Sequence, residues 1–274
     1  MLYTDFFLGA LGGGLLILGS MITLFYGPGH VNAIPFLTAV ATMLVGSTLL
    51  FIELGVPFRA WRIFANPRSF IMIGASLMTV SMALGLLLAS FYLSGLPWSH
   101  LAGVQYILAV LAVFAGLGVA FYPGLLLGSM AGRPFWRGTL LAPLFLLSGL
   151  STGIALLCLF SYVSPVAGDS VYQLIKTINA MLLSAQVIGW ITYVFIKKHL
   201  ASPRETPVVK SIFDGGKKFV FWFGFVGLGL IVPAVFYFLP AMSFSFVTHL
   251  LVLAGALIMR GFVVTADKGV SLGF

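Results

Sequence analysis

Only one cysteine and six acidic residues occur in this chain of 274 residues. The lone Cys158 excludes an internal disulfide and thiolate ligation of an iron–sulfur cluster, which needs several cysteines. Four histidines are present: His30, His100, His199 and His249. Only His249 falls inside an apolar run, so no pair stands at similar depth to ligate a b-type haem. The chain is therefore expected to hold no haem and no Fe–S cluster of its own. There is no Walker motif, no nucleophile elbow and no G-x-G-x-x-G in a soluble unit, so hydrolase and ATPase chemistry is not indicated. Charged residues of both signs make up only 7%.

What is there in quantity is hydrocarbon. Hydrophobic residues are 61% of the chain and the mean hydropathy is +1.14. That leaves too little polar surface to cover a water-soluble globule. In lipid every backbone N–H and C=O must be bonded internally, which leaves helices or a closed barrel. The apolar runs are continuous rather than alternating and long enough for the roughly 30 Å hydrocarbon layer, which selects helices. Eight spans are predicted, over about 5–26, 34–56, 69–93, 103–129, 138–163, 172–197, 217–238 and 243–265. Gly27-Pro28-Gly29, Gly95-Leu96-Pro97, Ser164-Pro165 and Leu239-Pro240 separate them. The fold expected is an all-α bundle of eight transmembrane helices in one membrane domain, 1–274. The first run lacks a basic leader and an A-x-A site, so it reads as a span rather than a removable signal. The stretch from Lys197 to Lys218 reads as a loop.

The basic residues fall on alternate connections. Arg59, Arg62 and Arg68 lie between spans two and three, and Arg133 and Arg137 between four and five. Lys197, Lys198, Arg204, Lys210, Lys217 and Lys218 lie between six and seven. Arg260 and Lys268 lie within or after the eighth span. The other connections are nearly bare, with Asp169 and Lys176 between five and six. With eight spans, the basic connections and both termini share one face. The positive-inside rule puts that face in the cytoplasm, across the inner membrane. The net charge of +8 then reflects topology and anionic lipid headgroups, or docking of an acidic partner, with no need of nucleic acid.

Few ionisable groups sit in or beside the hydrocarbon, where a charge costs at least about 2.5–3.5 kcal/mol on insertion scales. Asp5, Glu53 and Arg260 all fall toward the basic face. Glu53 reads equally as a proton-exchanging carboxylate or as a structural ion-pair or interface residue. Arg260 reads first as structural, with a supporting place in a site as the alternative. Asp5 reads as a solvated residue at a helix start, with a functional role as the alternative. His249 reads as a hydrogen-bonded bundle residue and Cys158 as inert packing. The glycines of the first and fifth spans, Gly9, Gly12, Gly13, Gly14, Gly149 and Gly153, read as close-approach faces. Phenylalanines and tryptophans read as mostly lipid-facing or interfacial. Trp61, Trp98, Trp136 and Trp222 suit the interfacial belt; Trp61 also stands in sequence where it would wall a site at Glu53.

Three segments resemble the polysulfide reductase membrane-subunit family, also called NrfD-like. One is Glu53-Leu54-Gly55-Val56-Pro57-Phe58-Arg59-Ala60-Trp61-Arg62, followed by Asn66-Pro67-Arg68-Ser69-Phe70. The second is Tyr122-Pro123-Gly124 with Arg133-Pro134-Phe135-Trp136. The third is Gly255-Ala256-Leu257-Ile258-Met259-Arg260-Gly261-Phe262-Val263-Val264. Each is weak alone; their order and their agreement with eight spans extend the resemblance across nearly the whole sequence.

The resemblance implies a haem-free subunit that exchanges electrons with menaquinone or ubiquinone. It implies a four-cluster ferredoxin-like Fe–S partner wired to a molybdenum or tungsten pterin (molybdopterin-type) catalytic subunit. It implicates Tyr122, Asp5 and Glu53 in quinone binding and proton exchange, with Arg59, Trp61 and Arg260 supporting. Arg62, Arg68, Arg133 and Arg137 are the docking candidates. Two departures stand out. Some members carry Asn and His just before the first span, where this sequence offers Asp5. Tyr-Pro-Gly replaces the family's Tyr-Thr-Gly, and proline removes a backbone donor. Competing readings are a proton-translocating unit, disfavoured by the scarcity of deep charges, and a pure anchor without a quinone site.

Overall fold

The computed structural model describes residues 2–53, 69–93, 96–130, 134–136, 138–162, 169–199, 206–239 and 246–266. The helices are α1 Leu2–Tyr26, α2 Ile34–Glu53, α3 Phe70–Ser90, α4 Ala102–Ser129, α5 Leu141–Ser161 and α6 Asp169–His199. A short helix α7, Thr206–Phe213, follows. A wide-register stretch, Val220–Ile231, then runs into α8, Val232–Phe238, and α9 is Phe246–Thr265. Among the described residues eight helices are long and apolar enough to cross a membrane. They match the eight predicted spans; the end of the second, beyond Glu53, lies outside the described residues.

Helix α1 is the hub of the bundle. Its most apolar stretch is 72% buried, against 28% for α2. It packs on α2, α4, α5 and α9. Lipid tails are as apolar as leucine, so hydrophobicity does not draw these helices together; close van der Waals approach does. The glycines supply it. A Cβ on Gly14 would collide with the Gly149 carbonyl, and one on Gly153 would strike the Gly14 backbone. On the far side of the bundle Gly229 and Gly255 bring the seventh and eighth spans into backbone contact.

The wide register of the seventh span extends to its junction with α8, where the Val232 N–H, just before Pro233, reaches back five residues to the Gly227 carbonyl.

Contacts at the helix ends sort the connections onto two faces. At one face the Trp136 indole N–H donates to the Val263 carbonyl at 2.8 Å. There, too, the Lys217 ammonium donates to the Thr265 carbonyl at 2.8 Å, capping α9. A Cβ on Gly261 would stand 3.9 Å from the Tyr3 ring, so the start of α1 and the end of α9 are neighbours. At the opposite face Thr23 and Tyr92 meet near the ends of α1 and α3, and Tyr162 packs on Phe246.

Three expectations are corrected. The Lys197–Lys218 stretch holds helix α7, because Val208, Val209 and Ile212 give it a buried face. Lys176 belongs not to a connection but to the second turn of α6, where it is buried. Trp136, expected in the interfacial belt, is a core residue, as are Trp190, Phe6, Phe36, Phe135, Phe145, Phe221 and Phe225, while most of the other described phenylalanines are exposed or half-buried.

Candidate functional site

Asp5 lies one turn into α1 and is only 2% exposed. This overturns the expectation of a solvated helix-start residue: α1 is the central helix, so even its first turn is enclosed. Its carboxylate faces α2 at Gly46, where a Cβ would stand 3.2 Å from Oδ1. Helix α1 runs against α4 with Gly9 opposite Val119 and Gly13 opposite Gly116, so one turn earlier Asp5 comes level with Tyr122 of α4. The structure therefore brings Asp5 and Tyr122 together, from residues 117 positions apart in the sequence.

Tyr122 stands on the buried face of α4, 8% exposed, and Gly74 of α3 opens the space for its ring. Among the described residues its hydroxyl has no hydrogen-bond partner. Pro123 follows it without breaking α4. Gly124 lets the helix close on Ala142 of α5, which fixes the turn bearing Tyr122. Beside Gly74, the α3 residues Phe70, Ile71 and Ile73 are exposed on the outer surface. The site is thus one helix away from lipid. It offers a phenol donor beside a buried carboxylate that can carry a proton.

Glu53 is the last residue of α2, and its side chain lies outside the described residues. Arg59, Trp61, Arg62, Arg68, Arg133 and Arg137 lie outside them altogether.

Arg260 is fully buried on α9 but is not beside Asp5 and Tyr122. Its Nη1 donates to Ser148 Oγ of α5 and to the Ala256 carbonyl, both at 3.1 Å. The guanidinium stands 5.6 Å from the ring centroids of both Phe7 and Phe145. Asp5 and Phe7 are two residues apart, or about 200° around the helix. Arg260 therefore meets the side of α1 turned away from Asp5. Its Nε and Nη2 have no partner among the described residues.

A second polar cluster lies toward the opposite face. The Tyr237 hydroxyl and His249 Nδ1 are 2.6 Å apart, joining α8 to α9. His249 is thus the hydrogen-bonded bundle residue that its place in an apolar run suggests. Lys176 of α6 lies near His249, and Asn179 of α6 and Cys158 of α5 lie near Tyr237. Midway along the bundle the Gln186 carboxamide of α6 donates to Ser151 Oγ of α5 at 2.8 Å. Sequence reading missed Asn179 and Gln186. The signal was there: 176, 179, 183 and 186 repeat at helical spacing, marking one inward face of α6.

The family model described as "Polysulphide reductase, NrfD" matches residues 1–267. The chain belongs to the NrfD family. Curated relatives include a polysulfide reductase chain from Wolinella succinogenes, 28% identical over 61% of this sequence and 57% of that one. Protein NrfD of Escherichia coli is 28% identical over 48% of this sequence and 41% of its own. A selenate reductase subunit from Mesobacillus selenatarsenatis is 26% identical over 50% of this sequence and 31% of its own. The matched part thus spans between about a third and somewhat over half of each of these relatives. Within the NrfD family this is a multi-pass membrane protein, with the Asp5–Tyr122 pair in its interior.

Proposed function

We propose that this NrfD-family member is the quinone-exchanging membrane subunit of an oxidoreductase complex. The observation that carries the reading is the buried Tyr122 hydroxyl, unengaged among the described residues, beside the buried Asp5 and one helix from lipid. A quinol bound there gives up two electrons and two protons on oxidation. Tyr122 is suited to hold one quinone oxygen by hydrogen bond, and Asp5 to take a proton from a quinol hydroxyl. Glu53 is assigned the next proton transfer. The same groups serve quinone reduction in reverse, with menaquinone or ubiquinone as the lipid-soluble substrate.

The partner reading rests on the relatives' names, which describe them as parts of a polysulfide reductase and a selenate reductase. The electrons pass to a four-cluster ferredoxin-like Fe–S subunit, and from it to a molybdenum- or tungsten-pterin catalytic subunit. Arg62, Arg68, Arg133 and Arg137 are proposed to dock the Fe–S subunit on the basic face. Phe135 and Trp136, which stand between Arg133 and Arg137 in the sequence, are buried in the bundle. By the positive-inside rule that face is cytoplasmic, in the inner membrane.

The test is quinol-linked turnover of the intact complex carrying Asp5→Asn or Tyr122→Phe. Loss of a general base is expected to lower turnover by about 10²-fold or more, with assembly unchanged. Unaltered turnover in both variants contradicts the assignment and favours a pure anchor.

A further inference from the structure

A cationic corner lies at the end of α6, on the basic face and apart from the helices that form the Asp5–Tyr122 site. From Lys197 to Lys218 there are six lysines and arginines against two acidic residues. Helix α7 fixes the geometry. It turns Val208, Val209 and Ile212 inward and leaves Lys210 exposed. The Trp222 indole N–H donates to the Ile212 carbonyl at 3.2 Å, tying α7 to the seventh span. Lys198 stands 4.4 Å above the ring of Phe213, tying α7 to α6. Lys198, Lys210 and Lys218 are all exposed around this helix, with Asp214 the acidic group among the described residues of the corner.

What adjoins these lysines decides their partner. Immediately before Lys197-Lys198, Phe195 and Ile196 are exposed on the last turns of α6. Immediately after Lys218, Phe219 is 69% exposed and stacks on the exposed Phe223 at 4.8 Å. Large apolar side chains exposed on a spanning helix face acyl chains. The cations therefore stand where two lipid-facing strips reach the polar boundary. Ammonium groups at that height meet lipid phosphates, and anionic headgroups draw basic clusters to the membrane surface. We infer that the α6–α7 corner is a binding site for an anionic phospholipid, with Lys198, Lys210 and Lys218 around the headgroup phosphate and the acyl chains along Phe195–Ile196 and Phe219–Phe223.

The probes are phosphatidylglycerol and phosphatidylcholine, added to the detergent-purified full-length protein or its complex. Phosphatidylglycerol is expected to raise the melting temperature and to persist as a bound mass in native mass spectrometry. Phosphatidylcholine and inorganic phosphate at equal concentration are expected to do neither. In the variant Lys198→Gln, Lys210→Gln, Lys218→Gln the rise and the bound mass are expected to disappear. Lys198 also packs on Phe213, so the double variant Lys210→Gln, Lys218→Gln carries the test if the triple variant does not fold. It is expected to lose most of the rise, while its melting temperature in phosphatidylcholine stays at the parent value. An undiminished rise in these variants overturns the inference, as does equal stabilisation by phosphatidylcholine or by inorganic phosphate.

Discussion

Gly74 of α3 lies flat against the ring of Tyr122 of α4, so closely that a Cβ at position 74 would fall among the ring carbons. The glycine is what allows a tyrosine to stand buried at this helix contact. Gly74→Ala is therefore expected to displace Tyr122 while leaving the helix intact, since alanine is the better helix former. Quinol-linked turnover should fall by about the tenfold that accompanies loss of a hydrogen bond near 1.4 kcal/mol. Measuring turnover alongside complex assembly separates this from a folding defect; normal turnover in Gly74→Ala would mean that the position of the Tyr122 ring does not matter.

Arg260 invites the opposite kind of experiment. Two of its guanidinium nitrogens have no partner among the described residues, and no ion pair compensates its charge there. Replacing a buried charge by an apolar side chain of similar length is often neutral or stabilising. Arg260→Met is expected to match or exceed the parent in thermal stability in detergent. Ser148→Ala, which removes an acceptor and leaves the cation, is expected to cost about 1–3 kcal/mol. The reverse order of stabilities would show that Arg260 has a compensating partner in the folded protein.

The Tyr237–His249 bond spans α8 and α9 inside the bundle. Hydrogen bonds between membrane helices contribute about 0.6 kcal/mol on average and up to about 1.7. Tyr237→Phe should lower unfolding free energy within that range, and Tyr237→Phe combined with His249→Phe should be less than additive. Strict additivity in this double-mutant cycle would argue that the pair is not coupled.

Trp136 roots the segment after α4. Its indole donates to the Val263 carbonyl near the end of α9, and the Tyr193 hydroxyl donates to the neighbouring Phe135 carbonyl. Trp136→Phe keeps most of the apolar burial and removes one hydrogen bond, a loss of about 1 kcal/mol. Limited proteolysis at 131–137 should then speed up while cleavage elsewhere is unchanged. Uniform acceleration along the whole sequence would indicate general unfolding instead.

The eight spans were legible because hydrocarbon imposes one rule on every crossing segment: long, continuous and apolar. The small-residue faces of α1 and α5 were legible for the same reason, since glycine has few other uses inside a membrane helix. Depth was not legible. Asp5 sits near a terminus, where solvation is the ordinary expectation, and only the central place of α1 encloses it. Trp136 reads as interfacial by type and position, yet it is buried against the end of α9. Lys176 looked like part of a bare connection because α6 begins before its apolar run does. Helix α7 is two turns long in a lysine-rich stretch, so its buried Val208, Val209 and Ile212 gave too short a pattern to outweigh the charge. The partnership of Asp5 and Tyr122 joins helices one and four, and no local pattern in either encodes the distance between them. It is the family resemblance that named both residues, and the packing around Gly46 and Gly74 that brings them together.

Photolabelling of the intact complex with an azidoquinone, followed by peptide mapping, tests the central claim most directly. Label is expected on α3 and α4 around Gly74 and Tyr122, reduced by excess unlabelled quinol and absent in Tyr122→Phe with Asp5→Asn. Quinol-sensitive label confined to other helices, or label at this site that quinol does not displace, would contradict it.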